Sequence, residues 1–190
     1  LDRPGISADG ITLMGFAIGV LALPFLALGW YGAALVAIVV NRLLDGLDGA
    51  LARRRGLTDA GGFLDIALDF LFYALVPFGF MLADPAANAL AGGWLLFAFM
   101  GTGSSFLAFA ALAAKHQIDN PGYAHKSFYY LGGLTEGTET ILLFVLGCLF
   151  PAWFAWMAWI FGVLCWLTTF NRVWGGYMTL KNLQRHEEED

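Results

Sequence analysis

Between Ile11 and Val40 no side chain carries a charge, and Pro24, Gly29 and Gly32 interrupt that run. The pattern predicts a first apolar span ending near Trp30 and a second starting there, joined as a tight hairpin. A third span is expected from about Gly61 to Leu82, stopped by Ala83-Asp84-Pro85, and a fourth from about Asn88 to Ala114, stopped by Lys115-His116. Lys115 to Lys126, KHQIDNPGYAHK, is the longest polar connection. After it come a fifth span ending at Phe150 and a sixth from Ala152 to about Asn171, with Pro151 between them. Each stretch approaches the roughly 20 residues a helix needs to cross hydrocarbon. The runs are continuous and lack the alternation of barrel strands, so helices are expected.

Composition sharpens this picture. Hydrophobic residues make up 59% of the 190, charged residues 13%, and the mean hydropathy is +0.68. An ordinary soluble domain is less apolar and about twice as charged, and a chain this apolar does not stay disordered. The expected fold is an all-α integral membrane domain of six transmembrane helices over residues 1–180, with a polar acidic tail at 181–190. The net charge of −5 owes much to Glu187, Glu188, Glu189 and Asp190 in that tail, and nothing suggests nucleic acid. Cys148 and Cys165 sit in apolar surroundings without metal-ligand spacing and read as packing thiols.

Sidedness follows from the basic residues. With six spans, one side holds the N-terminus, the segment around Arg53, the Lys115 to Lys126 loop and the C-terminus. Every Lys and Arg lies there or beside it, whereas the turns at Trp30, Asp84 to Asn88 and Pro151 carry none. The positive-inside rule then puts both termini in the cytoplasm.

Acids interrupt the apolar pattern in one place, Asn41 to Phe70. Asp45 and Asp48 are spaced i, i+3 at the end of the second span, and Asp65 and Asp69 are spaced i, i+4 at the start of the third. Each pair shares one helix face. In an antiparallel hairpin turning near Arg55 to Leu57, Asp45 lies level with Asp69 and Asp48 level with Asp65, roughly 6 to 12 Å inside the helix ends at 1.5 Å per residue. Four converging carboxylates repel one another unless some are protonated or a cation sits among them. Such hard oxygen ligands suit Mg²⁺, Mn²⁺ or Ca²⁺. The alternative is a solvated acid group balanced by Arg53 to Arg55. Gly46, Gly49, Ala50, Ala52, Gly61 and Gly62 favour a ligand by clearing bulk around the acids, although small residues also serve close helix packing.

These residues spell D-x-x-D-G-x-x-A-R followed, after a short gap, by G-x-x-x-D-x-x-x-D, at Asp45, Asp48, Gly49, Ala52, Arg53, Gly61, Asp65 and Asp69. The pattern resembles the signature of the CDP-alcohol phosphatidyltransferase family, and the six-span layout extends the likeness over nearly the whole chain. The sequence looks most like small enterobacterial inner-membrane members of that family. The resemblance implies transfer of a phosphatidyl or other phospho-alcohol group from a CDP-linked donor, preferably CDP-diacylglycerol, to an acceptor hydroxyl with release of CMP. It further implies one or two Mg²⁺ or Mn²⁺ ions held by Asp45, Asp48, Asp65 and Asp69. Asp69 would also be the base for the acceptor, and Gly49, Ala52, Gly61 and Arg53 would make room for and support the nucleotide. A homodimer in the inner membrane, with its site open to the cytoplasm, completes the expectation. Where many members carry Pro-Asn before the first span, this chain has Ala8-Asp9, and Ser7 or Asp9 reads as a helix cap.

The acceptor is less legible. Lys115, His116, His125 and Lys126 lie on the cytoplasmic side, where they either meet a phosphate or sugar or form a solvated positive-inside loop. Glu136 and Glu139 fall in a fifth span that must reach back to about Ser127, which would put Glu136 ~13 Å along a helix. Acids at such depth need partners. Arg172, Lys126 or a polyol acceptor would serve, and Gly132, Gly133 and Gly137 would allow a kink there. Two other classes of function compete with the transferase. A divalent-cation transporter or channel would use the acids as a transit site, but it would want polar residues reaching the opposite face, and those halves of the spans are apolar. A structural protein that had kept only the fold would have shed some of the four acids.

Overall fold

The computed structural model describes residues 7–116 and 135–189. It is an all-helical membrane protein, and among the described residues the long apolar helices Ala8–Ala27, Asp59–Ala83, Pro85–Lys115 and Pro151–Leu183 have the length to cross a bilayer. Lys126 and His125, with Gly132, Gly133 and the start expected near Ser127, lie outside the described residues.

Helix α1 (Ala8–Val20) begins at Ser7, whose hydroxyl accepts a hydrogen bond from the Gly10 N–H at 3.0 Å. This is the cap expected from the sequence. The helix is interrupted at Leu21 and resumes as α2 (Ala22–Ala27). Pro24 explains the position, because it lacks the N–H that Val20 would bond and its ring crowds that carbonyl. The hairpin then closes through Gly29, whose φ of +72° suits glycine, with Trp30 N–H donating to the Phe25 carbonyl at 2.7 Å. Helix α3 (Tyr31–Arg55) carries Arg53, Arg54 and Arg55 in its last turn and ends at Gly56, with φ of +102°. Cations there complement the helix dipole.

Thr58 caps α4 (Asp59–Ala83), accepting from the Gly61 N–H at 3.1 Å, and Asp84 caps α5 (Pro85–Lys115), accepting from Ala87 at 3.1 Å. Helix α6 (Gly137–Leu149) leads through a 3-10 turn at Pro151–Trp153 into α7 (Phe154–Glu189). Two features differ from the sequence expectation. Glu136 is extended (φ −115°, ψ −169°), so the helix starts after it and the residue does not lie nine steps into a continuous span. Helix α7 does not stop near Asn171 but runs on through the acidic segment to Glu189.

The core is aromatic and centred on α4. Phe72, Val76 and Phe80 are fully buried against Leu26 of α2, Ile38 of α3, Leu95 of α5, Phe144 of α6 and Phe154 of α7. Phe80 stacks on Phe154 with ring centroids 4.0 Å apart. Meanwhile Leu90, Met100, Trp156 and Phe170 point outward from the bundle, which is inverted for water and correct for lipid. Between lipid-facing helices packing rather than hydrophobic expulsion supplies cohesion. Gly79 shows how tight it is, since a Cβ there would come within 2.8 Å of Leu26 Cδ1.

Candidate active site

Helix α1 packs along α3 and also against α4, so these two helices flank it at the end where the acids lie. Small residues set that approach. A Cβ on Gly15 would meet Leu44 Cβ at 3.1 Å, and one on Gly19 would meet the Asn41 amide and Phe72 at 3.0 Å. In the resulting recess, one carboxylate oxygen each from Asp45, Asp48 and Asp65 lie within 4.8 Å of one another. All four acids of the hairpin register line this one recess, these three most tightly. Asp69, Arg42 and Asn41, with Thr12, Gly15, Phe16 and Leu68, complete a pocket of about 10 Å³, room for a single small particle.

Asp48 is only 4% exposed, and its Oδ2 has no hydrogen-bond partner among the described residues. A buried, unsatisfied carboxylate oxygen is costly. Two further carboxylates beside it worsen the electrostatics unless a cation is present. The donor set is all oxygen and anionic, which fits Mg²⁺ or Mn²⁺ and offers no soft ligand. On this ground the residues present fit a divalent ion.

Asp69 is at the same recess but differently engaged. Its Oδ1 accepts from Arg42 Nη2 at 2.8 Å and its Oδ2 from the Tyr73 hydroxyl at 3.3 Å. Arg42 also reaches Asp45 Oδ2 with Nη1 at 3.5 Å. Neither Arg42 nor Tyr73 stood out in the sequence as a site residue. The signal was nevertheless there, since Arg42 is three residues before Asp45 and Tyr73 four after Asp69, on the same helix faces. A cavity of about 360 Å³ opens next to Asp69, lined by Arg42, Asp45, Tyr73, Gly137, Thr138 and Ile141. The α6 contribution was invisible in the sequence, because it depends on α6 folding back onto α3.

The remaining expected residues are placed as follows. Arg53 folds back along α3 so that a Cβ on Gly49 would meet its Nη1 at 3.4 Å, with Ala52 half-buried beside it. At Gly61 a Cβ would come 2.9 Å from Thr58 Oγ1 and 3.1 Å from Asp9 Oδ1. Asp9 thus reaches the start of α4, while Ser7 does the capping. A Cβ on Gly46 or Gly62 would meet nothing within 4 Å, which leaves that side open. Glu136 and Glu139 form a reciprocal capping box at the start of α6, with the Glu136 N–H donating to Glu139 Oε2 at 3.0 Å. They do not line the cavity, although Glu136 is within electrostatic range of Arg172. Lys115 and His116 end α5 and line neither pocket.

An all-helical membrane bundle with an aspartate recess of this geometry at one end defines a class, and residues 6–170 match the CDP-alcohol phosphatidyltransferase family, to which the chain belongs. It is an enzyme family that uses divalent metal, and the aspartate cluster for it is present. Among particular proteins, the chain is 88% identical over 185 residues to inner membrane protein YnjF of Escherichia coli K12, covering 97% of this chain and 90% of that one. It is a multi-pass inner-membrane protein. It is also 29% identical over 171 residues to archaetidylinositol phosphate synthase of Pyrococcus horikoshii, covering 90% and 83% of the two chains. The fold is shared with Mycobacterium tuberculosis phosphatidylinositol phosphate synthase, crystallised with CDP-DAG bound, at a TM-score of 0.66 and 22% identity, covering 91% of this chain and 87% of that one.

Proposed function

We propose that the chain transfers a phosphatidyl group from CDP-diacylglycerol to the hydroxyl of a small polar alcohol, releasing CMP, at a site open to the cytoplasm. The observation that carries this is Asp48 Oδ2, without a hydrogen-bond partner among the described residues, in a group of three converging carboxylates beside the cavity that Asp45 and Asp69 border.

In this reading Asp45, Asp48 and Asp65 hold a divalent ion. Bound there, the ion would neutralise charge on the donor's diphosphate and on departing CMP. Gly49, Ala52 and Gly61 leave space for the nucleotide, and Arg53 on the same face of α3 supports its phosphate end. Asp69 takes the acceptor's proton as the hydroxyl oxygen bonds to the donor's β-phosphorus and the bond to CMP breaks. The Tyr73 hydroxyl and the first turn of α6 border the cavity in which that alcohol sits. Lys115, His116 and Lys126 are assigned to attracting a charged acceptor from the cytoplasmic side. A phosphorylated polyol is the favoured acceptor class, supported by the cavity's size and by the relative that is an archaetidylinositol phosphate synthase. Transit of a cation across the bundle is disfavoured, because the fully buried rings of Phe72, Phe80 and Phe154 fill its interior beyond the acids.

The test is CMP release by purified protein in lipid nanodiscs with Mg²⁺ or Mn²⁺, CDP-diacylglycerol and a panel of inositol phosphate, glycerol phosphate, serine and sugar alcohols. Acceptor-dependent release that chelator abolishes is expected. Asp69→Asn should abolish it while the protein stays folded and monodisperse. Near-normal turnover of Asp69→Asn would reject its role as base.

A further inference from the structure

The cavity beside Asp69 has two unlike walls. Arg42, Asp45 and Asp69 form the charged one, and Tyr73 with the first turn of α6 forms the neutral one. Tyr73 has apolar neighbours on α4, and its ring packs against Phe72 and Phe144 with centroids 6.4 and 6.5 Å away. A phenylalanine would pack as well, so the hydroxyl is what tyrosine adds. That hydroxyl donates to Asp69 Oδ2 at 3.3 Å, longer than the ~2.7 Å of a strong O–H···O bond. The bond uses its one proton, so whatever else Oη binds must donate to it. Gly137 of α6 comes up to the same hydroxyl, and a Cβ there would lie 3.0 Å from Oη. Among the described residues only Gly29 and Gly56 have the positive φ that calls for glycine. At Gly137 it is therefore the missing side chain, rather than the backbone, that counts, and it keeps α6 clear of the hydroxyl.

We propose that Tyr73 is a specificity-determining residue for the acceptor: its Oη takes a hydrogen bond from a second hydroxyl, on the carbon next to the one that attacks, and Gly137 leaves the room this alcohol needs. The proposal rests on the transferase reading and names its acceptor class, a vicinal diol. Oη and Asp69 Oδ2 are 3.3 Å apart, comparable to the separation of oxygens on neighbouring carbons. One diol can therefore meet both atoms at once. Its attacking hydroxyl gives its proton to Oδ2 as the oxygen bonds to the donor's β-phosphorus and CMP departs, while the second hydroxyl keeps its proton and donates to Oη. An alcohol with one hydroxyl fills only the first position and leaves Oη without that donor, which costs it binding. Thr138 and Ile141 continue the wall with a hydroxyl and an apolar surface, suited to the polar edge and C–H face of a polyol. At about 360 Å³ the cavity has room for an acceptor the size of a sugar ring.

The experiment compares acceptors that differ by that one hydroxyl: glycerol 3-phosphate against 3-hydroxypropyl phosphate, and an inositol phosphate against its monodeoxy forms, with serine as a single-hydroxyl alcohol. CMP release is read with the purified chain in nanodiscs, CDP-diacylglycerol and Mn²⁺, and thermal melting checks folding. Wild type should favour the diol of at least one pair by about tenfold in kcat/KM, the worth of one hydrogen bond. Tyr73→Phe should erase that preference, bringing the diol down to its deoxy partner while the partner's kcat/KM and the CDP-donor KM stay unchanged. Equal use of both members of every pair, a preference for serine, or a folded Tyr73→Phe that keeps the preference would overturn the proposal and leave the transferase reading intact. No acceptor-dependent CMP release by the wild type would overturn both. Gly137→Ala sets a carbon against Oη without altering Tyr73, and so stands as a test even where the Phe variant misfolds. It should cut the same preference about threefold by raising the diol's KM at an unchanged CDP-donor KM; an unchanged preference in the folded variant would overturn the proposal.

Discussion

At the scale of single residues, the site depends on atoms that touch no substrate. Asn41 bridges the α1 backbone to Arg42, and it can do so because Gly19 leaves space for its amide. Gly19→Val should push Asn41 and Phe72 aside, loosen Arg42, and reduce turnover about tenfold, equivalent to ~1.4 kcal/mol of transition-state stabilisation. Steady-state CMP release on folded protein is the check. The contrast is Gly32→Ala in the first turn of α3, where nothing lies within 4 Å of the added carbon. That change should leave kcat untouched and raise stability by about 0.5 to 1 kcal/mol, through reduced unfolded-chain entropy and better helix propensity. The residue scale is also where the sequence was most informative. Asp45 with Asp48 and Asp65 with Asp69 were legible because a helix places i, i+3 and i+4 residues on one face, and the hairpin register then set the two pairs level. Arg42 was not, because the positive-inside pattern already accounted for a basic residue at that end of the span.

Among elements, α6 shows how one pattern supports two readings. Glu136 and Glu139 looked like acids in search of a partner within a long helix. Each carboxylate satisfies an N–H of their own first turn that no helical carbonyl reaches, and Glu136 also lies in electrostatic range of Arg172, one of the partners expected. Glutamine can serve in place of glutamate in a capping box, so Glu139→Gln should leave the acceptor KM and melting temperature near wild type. Glu139→Ala should destabilise the protein by about 1 kcal/mol, visible as a lower melting temperature in nanodiscs. A rise in acceptor KM for Glu139→Gln at unchanged stability would instead put the carboxylate in contact with the acceptor. The capping signals at Ser7, Thr58 and Asp84 lie in local sequence and needed no tertiary context. The start of α6 depended on a break after the polar loop that hydropathy alone does not mark.

For the whole molecule, the asymmetry of charge and the asymmetry of the core agree. The basic residues and the acid recess lie toward one end of the bundle, and the buried Phe80–Phe154 stack, between the last turn of α4 and the start of α7, lies toward the other. A green fluorescent protein fused after Asp190 should therefore be fluorescent, and alkaline phosphatase fused at the same point inactive. The opposite result would invert the topology and move the site to the other face. What the sequence by itself determined is the membrane environment, the helical class and the gathering of acids from two adjacent helices in one recess, because these follow from hydropathy and local spacing. What only the tertiary structure decided is the Arg42–Asp69–Tyr73 arrangement, the anchoring of Asn41 on α1 and the cavity closed by α6. Those contacts join residues far apart in the chain, and their geometry is fixed by how closely Gly15, Gly19 and the α6 turn let backbones approach.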